Sequence, residues 1–279
     1  MVSLSPVIFR PNGCAPYWMK SSPQRVDSPE SGMPLELASF TDAGPVRDTN
    51  EDYLRALPGQ GIVALADGMG GHLAGEVASE VAVEVAVEEL HHSQRFLRMD
   101  AVQCLLAVGQ AVERANASVY TLACKKPELE GMGTTLVLAL FQRGRIFYAH
   151  VGDSRLYLFR DGRLVQLTRD HSLIQEVIDH GIYPNRGEAR EAGVGENVLT
   201  RSLGFDLNIN VDVNEVMVRS GDLFLFCSDG LSGPLSEQRI AHLLGTGHLT
   251  LEGRAEALAR SAMEAGTRDN VSVILARPL

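Results

Sequence analysis

Four short apolar segments between residues 134 and 168 follow one another so closely that they restrict the folds open to this chain. They are rich in β-branched and aromatic residues and read TTLVLALFQ, RIFYAHVGD, RLYLFRDG and RLVQLT. The turns between them include RGR and RDGR, whose glycines suit the tight loops of β-hairpins. This spacing predicts an antiparallel meander of four strands.

The sequence on either side of this meander predicts further strands and several helices. The additional strands are LELASFTDAG, GIVALAD, NVDVNEVMV, DLFLFCSD and NVSVILA. Residues 75–93 favour a helix by length and Ala/Glu content, although VAVEVAV alternates like a strand. A second helix follows Asp100, a plausible N-cap residue, and further helical segments end near Ala265. Because helices cluster with helices and strands with strands, we expect an α+β fold with its sheets packed between helix layers.

Composition separates a leader from the folded domain and excludes several classes of protein. Residues 1–34 are rich in Ser and Pro and have no periodicity, so we expect a disordered or loosely attached leader before a domain at 35–279. A net charge of −10 argues against a nucleic-acid partner. No apolar run approaches the roughly 18 residues of a membrane span. The scattered cysteines fit a reducing, cytoplasmic setting; they are Cys14, Cys104, Cys124 and Cys227.

Carboxylates recur at the ends of the predicted strands. Asp67 and Asp229 each end an apolar run and are followed by glycine, in VALADG and LFLFCSDG. Further acidic residues at strand boundaries are Asp153, Asp269 and the pair Glu51 and Asp52. Carboxylates held close together need a cation to stay ionised, and oxygen ligands suit Mg²⁺ or Mn²⁺. Two such ions can activate a water for in-line attack on phosphorus. The alternative is that Asp-Gly is a common turn dipeptide at the end of any strand.

Other kinds of phosphate, metal and nucleophile site do not match. The sequence ADGMGGH contains no G-K-[ST] and lacks the spacing of a dinucleotide-binding loop. G-x-S-x-G and H-E-x-x-H are also absent. His72, in the glycine-rich turn, can be a metal ligand or proton donor, but a lone histidine in such a turn is more often a hydrogen-bonding loop residue.

Taken in order along the chain, these segments resemble the PPM-type (type 2C) metal-dependent Ser/Thr protein phosphatases in their bacterial single-domain form. The matching motifs are TDAGPVRDTNED, ADGMGGHLAGEVAS, GMGTTL, HVGDSRLYL, LTRDHSL, NVLTRSLG, FCSDGLS and GTRDNVSVI. The resemblance implies a β-sandwich of two antiparallel sheets flanked by helices, in four layers, with the metal ions at one end. It also implies a flap segment at about 170–203.

The resemblance assigns the metal ligands residue by residue. Asp67 matches the carboxylate that bridges two Mn²⁺ or Mg²⁺ ions, and Gly68 matches the residue whose carbonyl binds one of them. Asp229 and Asp269 match the ligands of the other ion. Asp153 matches the residue that, together with Asp229, holds a third and weaker metal in bacterial members.

The remaining implied site residues contact water or substrate. Glu51 and Asp52 match an acidic pair that acts largely through metal-bound waters. Arg47 matches the arginine that grips the substrate phosphate, where its planar fork of donors suits phosphate oxygens. Met69 stands where animal relatives carry the histidine thought to protonate the leaving group, so another group must supply that proton. The flap has GVGENV where a His-Pro usually precedes the Asn-Val. Because the flap is thought to shape substrate choice, the resemblance does not predict which substrates this chain prefers.

The implied function is hydrolysis of phosphoserine and phosphothreonine on proteins by a metal-bridging hydroxide, without a phospho-enzyme. The expected setting is a cytoplasmic monomer whose phosphoprotein substrates include a Ser/Thr kinase or its targets, with no nucleic-acid or membrane partner. One alternative is a non-catalytic phosphopeptide-binding or scaffold protein on the same fold. A narrower alternative keeps the enzyme but gives it a regulatory phosphoprotein, such as an anti-sigma-factor antagonist, as its substrate.

Overall fold

The computed structural model describes residues 33–70, 74–92 and 99–279. The expectations for Cys14, His72 and nearly all of the 1–34 leader lie outside these residues. The described strands are β1 (Leu35–Asp42), β2 (Asp52–Leu57), β3 (Ile62–Met69), β4 (Gly133–Thr134), β5 (Leu136–Gln142), β6 (Arg145–Val151), β7 (Arg155–Arg160), β8 (Arg163–Gln166), β9 (Asp212–Met217), β10 (Leu223–Cys227) and β11 (Val271–Pro278). The described helices are α1 (Ala74–His92), α2 (Ala101–Lys125), α3 (Leu173–Asp179), α4 (Arg186–Glu191), α5 (Asp229–Ser232), α6 (Glu237–Leu244) and α7 (Leu251–Glu264).

The strands form two antiparallel sheets that pack face to face. One sheet has the order β1-β11-β10-β7-β8, and the other has the order β2-β3-β5-β6-β9, with the short β4 paired to β3. Helices α1 and α2 cover the second sheet, whereas α6 and α7 cover the first. Layers of α, β, β and α result, so the α+β sandwich expected from the sequence is confirmed.

The prediction of a four-strand meander is only partly correct. Strands β5 and β6 form one hairpin and β7 and β8 another, each around a turn whose first central residue has positive φ, Arg143 or Asp161, followed by glycine. Strands β6 and β7, however, do not pair. The chain changes sheets at Gly152, whose φ of +101° suits glycine, and β6 pairs on its second edge with β9. Local hairpin signals predict each pair but carry no information about the crossover.

Helix α2 begins where the sequence predicts. The side chain of Asp100 accepts a hydrogen bond from the backbone N–H of Gln103, and the Gln103 side chain accepts one from the backbone N–H of Asp100. This reciprocal capping box satisfies two of the backbone donors that an α-helix leaves unpaired at its start. Val108, Val112 and Val119 are buried on one face, which packs against α1 and the sheet.

The flap segment contains two short helices, α3 and α4. Asp170, buried just before α3, accepts a bidentate pair of hydrogen bonds from Arg155 at 2.6 and 2.9 Å. Arg186 of α4 also donates to Asp170 and reaches Gln175 at 3.2 Å. One buried carboxylate therefore links Arg186 of the flap to Arg155 of β7 in the sandwich.

Three cysteines lie within the described residues. Cys104 and Cys227 are buried, Cys124 is exposed, and all three are free thiols. In the part of the chain that the structure describes, no helix has both the length and the apolar composition needed to cross a lipid bilayer.

The space between the sheets is filled by apolar side chains from both, including Phe141 and Phe224, whose rings meet edge to face at 5.1 Å between centroids. We expect Phe224→Ala to lower the free energy of unfolding by about 3–5 kcal/mol, because the truncation leaves a cavity in a close-packed core. Urea denaturation measures this loss. Val165→Ala, at an exposed position, serves as the control and should change stability by less than about 0.5 kcal/mol. Similar losses in both variants would contradict an inter-sheet core centred on Phe224.

Candidate active site

One end of the sandwich brings the predicted carboxylates together. Asp67 lies near the end of β3, and Asp229 begins α5 directly after β10 of the other sheet. Asp153 follows β6, and Asp269 precedes β11. A cleft of about 980 Å³ opens over them, and the predicted site residues that line it are Arg47, Glu51, Asp67, Gly68, Asp153, Asp229 and Asp269. Residues separated by more than 200 positions thus share one site.

Asp52 is the predicted site residue that does not line the cleft. It pairs in register with Asp67 across β2 and β3, and its side chain is buried. Its Oδ2 accepts a hydrogen bond from the hydroxyl of Ser228 at 2.8 Å, so it joins the second sheet to the end of β10 in the first. Asp52 therefore does not face the cleft; it holds the ends of the two sheets together next to Asp67.

The glycines after Asp67 and Asp229 are required by close backbone packing. A Cβ atom on Gly68 would lie 2.0 Å from the carbonyl oxygen of Gly75, at the start of α1. A Cβ atom on Gly230 would lie 1.9 Å from the carbonyl oxygen of Asn270. Both distances are far inside van der Waals contact, so any other residue would push apart the segments that carry the carboxylates.

The electrostatics of the site favour a bound cation. Burial, together with the surrounding carboxylates, raises the pKa of Asp52 and of Asp153 to about 7. The pKa values of Asp67, Asp229 and Glu51 are raised for the same reasons, burial being the larger cause. Within the described residues, Oδ1 of Asp52 and Oδ1 of Asp229 are buried without a hydrogen-bond partner. Carboxylate oxygens in this state fit a hard divalent cation, which removes both the repulsion and the missing contacts.

Arg47 lies at the mouth of the cleft, with 51% of its side chain exposed. Its Nη2 donates to Oδ2 of Asp269 at 2.9 Å, and its Nε donates to the carbonyl of Arg268 at 3.3 Å. The guanidinium therefore sits beside a carboxylate of the site while remaining open to solvent, a position suited to a phosphate oxygen of an incoming substrate.

The sequence reasoning missed Asn270, which builds the loop carrying Arg47 and Glu51. The buried Asn270 amide donates to the carbonyls of Ala43 and Thr49 at 3.0 and 2.8 Å, and it accepts from the backbone N–H of Glu51 at 2.8 Å. The motif GTRDNVSV contains this residue directly after Asp269. In the sequence, Asn270 stands out only because it follows Asp269. That position does not reveal its three hydrogen bonds to a segment about 220 positions away.

Thr135 was also missed, and it holds the backbone of Asp67. Its hydroxyl accepts from the backbone N–H of Asp67 at 2.9 Å and lies 2.7 Å from the hydroxyl of Ser154, next to Asp153. The neighbouring Thr134 donates its hydroxyl to the Asp67 carbonyl at 2.8 Å. The GMGTTL motif thus positions two carboxylate-bearing segments at once.

A second group of potential metal ligands lies outside this site. His150, His171 and Asp212 offer ligand atoms within 4.8 Å of one another, and they form a candidate metal site. The hydrogen bonds favour a different arrangement. The backbone N–H of Gly152 donates to Nδ1 of His171, which leaves its Nε2 protonated towards Asp212 at 3.3 Å. Arg201 already neutralises Asp212 at 2.9 Å, so the ion pair and hydrogen bonds account for His171 and Asp212, whereas Nδ1 of His150 is buried without a partner among the described residues.

Comparison with known proteins shows the family. The family model described as Protein phosphatase 2C matches residues 46–264. The serine/threonine protein phosphatase PstP of Mycobacterium tuberculosis is 37% identical over 247 residues, which are 87% of this chain and 45% of PstP. The serine/threonine phosphatase stp of Listeria monocytogenes is 34% identical over 238 residues, which are 84% of this chain and 92% of stp. The chain therefore belongs to the protein phosphatase 2C family, and the resemblance inferred from its motifs is confirmed.

Solved structures agree with this assignment. The catalytic domain of PstP, solved in complex with two manganese ions, aligns with a TM-score of 0.73 and 35% sequence identity. The alignment covers 87% of this chain and 97% of that domain. The chain spans less than half the length of PstP but nearly all of the Listeria phosphatase. The class of enzyme that this family defines is thus the metal-dependent serine/threonine protein phosphatase.

Removing the Asn270 amide tests its role in building the site. We expect Asn270→Ala to cost about 1–3 kcal/mol of stability, because two carbonyls and one N–H lose their partner. We also expect weaker Mn²⁺ binding, since Glu51 loses its backbone anchor. Thermal unfolding and calorimetric titration with Mn²⁺ measure the two effects. Asn214→Ala, at an exposed position on β9, is the matched control and should leave both unchanged. A variant as stable as this control would contradict the role assigned to Asn270.

The raised pKa values predict an unusual pH dependence. Asp52 and Asp153 have folded pKa values of about 7, whereas an unfolded aspartate titrates near 3.9. Below about pH 8.5 the folded state binds protons at Asp52 and Asp153 that the unfolded state does not, so metal-free protein should become more stable as pH falls. Below about pH 6.5 the rise should become shallower, because burial lowers the pKa of His171 to about 4 and the unfolded state then binds a proton at this residue that the folded state does not.

The melting temperature of protein treated with EDTA, followed across this range, measures the effect. Addition of Mn²⁺ should raise the melting temperature more at high pH than at low pH, since bound metal requires ionised carboxylates. A metal-free melting temperature that rises with pH above 6.5 would show that these carboxyl groups are not held in a destabilising environment.

Proposed function

We propose that this chain is a metal-dependent protein phosphatase that hydrolyses phosphoserine and phosphothreonine on proteins. The observation that carries the proposal is the convergence of Asp67, Asp153, Asp229 and Asp269 on one cleft, where the first three have raised pKa values and Asp229 has a buried, unpartnered oxygen. Membership of the 2C family and the names of its relatives support the same activity.

The residues present fit two divalent ions, Mn²⁺ or Mg²⁺, and a weaker third. Asp67 would contact both core ions, the carbonyl of Gly68 would bind one, and Asp229 and Asp269 would bind the other. Asp153 would share the third ion with Asp229. Glu51 and Asp52 would act through water molecules, and the buried position of Asp52 is consistent with indirect contact. When bound, the core ions supply a hydroxide nucleophile and stabilise negative charge on the phosphoryl group.

The chain's own residues then orient the substrate. Arg47 would exchange part of its contact with Asp269 for the phosphate oxygens, which match its planar fork of donors. Asn270 and Thr135 keep the carboxylate-bearing segments in fixed positions. Met69, exposed to the cleft, has no proton to give to the leaving serine or threonine oxygen, so that proton comes from another group.

The biological setting that we propose is dephosphorylation of phosphoproteins in opposition to a Ser/Thr protein kinase. A narrower form of this proposal is that the enzyme acts on a single regulatory phosphoprotein. The non-catalytic alternative, a phosphopeptide-binding scaffold, is disfavoured because every carboxylate implied as a ligand is present and all but Asp52 line one cleft.

Asp229→Asn tests the proposed chemistry. The substitution keeps the shape of the side chain but removes a negative charge shared by two ions, so we expect at least about a 100-fold loss of phosphothreonine-peptide hydrolysis in Mn²⁺. Asp161→Asn is the matched control, because it makes the same change in an exposed hairpin turn where asparagine tolerates positive φ. It should retain full activity.

Addition of EDTA should abolish wild-type hydrolysis. If the wild-type protein leaves the peptide intact in Mn²⁺ and calorimetry detects no Mn²⁺ binding, the scaffold alternative is correct.

A further inference from the structure

An exposed aromatic ring forms part of one wall of the catalytic cleft. Phe205 lies in the loop between the flap and β9, 57% of its surface is exposed, and it lines the same cleft as Asp67 and Asp153. Val198 and Ile209 line the cleft as well, and Val198 is also largely exposed. Apolar surface left open beside a catalytic centre is typical of a binding surface.

We propose that Phe205 and Val198 form the docking surface for an apolar side chain next to the phosphorylated residue of a protein substrate. This inference rests on the proposed phosphatase function and specifies the kind of peptide that the site accepts. The occupant is a phosphopeptide with a leucine-like residue adjacent to its phosphothreonine.

The position of the ring matches the reach of such a peptide. Gly133 lies directly under it, since a Cβ atom there would be 2.3 Å from Cε2 of Phe205. Gly133 pairs across β4 and β3 with Met69, two residues beyond Asp67. Adjacent strands are about 4.8 Å apart, and successive residues of an extended peptide are about 3.5 Å apart. A phosphoresidue bound at the carboxylates therefore brings its neighbour to the ring.

Buried hydrogen bonds hold this wall in place. Asn116, fully buried on α2, donates to the carbonyls of Asp206 and Leu207 at 2.8 and 3.1 Å and accepts from the backbone N–H of Gly204 at 2.9 Å. Leu203 exchanges two backbone hydrogen bonds with Thr134 of β4, at 2.8 and 3.1 Å. The exposed ring is thus presented by a fixed backbone, which lowers the ordering cost of binding.

The charges around the ring favour an apolar neighbour over an acidic one. Asp206, next to Phe205, lines the cleft, and so do the carboxylates of the metal site. The described cations that line the cleft are Arg47, which we assign to the phosphate, and Arg201, which is paired with Asp212 at 2.9 Å. An acidic side chain beside the phosphoresidue would meet the like charge of Asp206, which the metal ions would not neutralise, whereas an apolar one would remove the Phe205 surface from water.

The experiment compares Phe205→Ala with Leu207→Ala. Leu207 is 55% exposed in the same loop but does not line the cleft, so it is the matched control. The substrates are two phosphothreonine peptides that carry leucine or aspartate beside the phosphothreonine, and p-nitrophenyl phosphate, which has no neighbouring residue. Wild-type protein should prefer the leucine peptide.

Phe205→Ala should raise KM for the leucine peptide by about 10-fold, the order expected for one buried apolar contact. It should leave kcat, and the rates on p-nitrophenyl phosphate and the aspartate peptide, within about twofold. Phe205→Leu should restore most of the KM, and Leu207→Ala should behave as wild type. An unchanged KM in Phe205→Ala, or an equal loss on p-nitrophenyl phosphate, would overturn the inference.

Binding of a fluorescent, non-hydrolysable phosphonate version of the leucine peptide separates this inference from the proposed function. If the protein hydrolyses neither p-nitrophenyl phosphate nor the peptides but binds the analogue more weakly after Phe205→Ala, the docking surface stands and the catalytic proposal fails. If it hydrolyses the substrates but binds the analogue equally with and without Phe205, the docking inference fails and the catalytic proposal stands.

Discussion

Repulsion between carboxylates is the constraint on which the rest of this structure depends. Asp67, Asp153, Asp229 and Asp269 converge on one cleft, and burial together with neighbouring carboxylates raises the pKa values of Asp67, Asp153 and Asp229. A chain free to relax would separate them. Here they are carried by strands of two sheets packed face to face, so the free energy of the whole sandwich opposes their separation. A divalent cation removes the repulsion without any movement of the backbone.

The packing between the two sheets therefore differs at the end of the sandwich that carries the site. Between Phe141 and Phe224 the interface is apolar, whereas at the site it becomes polar through Asp52 and Ser228. Ser228 also accepts a hydrogen bond from the backbone N–H of Ser272 at 3.1 Å, which ties β10 to β11 below the carboxylates. The change from apolar to hydrogen-bonded packing lets a charged site lie at the end of a dry core, because Ser228 supplies hydrogen-bonding partners to both Asp52 and Ser272 at this boundary.

The parts of the fold and site that could be predicted are those that depend on local pattern. Hairpins at Gly144 and Gly162, the cap at Asp100 and the Asp-Gly ends of β3 and β10 each follow from a few adjacent residues. The crossover between β6 and β7, by contrast, depends on which strand takes the free edge of β6, and that strand, β9, comes 60 residues later. The short strand β2 was missed because DYLRAL contains the charged residues Asp52 and Arg55, which the structure pairs with Ser228 and with Glu84 of α1.

The same distinction separates the carboxylates from the residues that hold them. Acidic residues at strand ends are visible in the sequence because their chemistry is unusual there. Asn270, Thr135 and Asn116 are ordinary polar residues whose importance lies in hydrogen bonds to backbone atoms far along the chain. Asn270 and Thr135 fix the two sides of the carboxylate cluster, and Asn116 fixes the wall that carries Phe205. The carboxylate site therefore depends on the buried amide of Asn270, whereas the wall that carries Phe205 depends on the buried amide of Asn116. Substitutions in the loop around Phe205 can thus change substrate preference while the carboxylates remain in place.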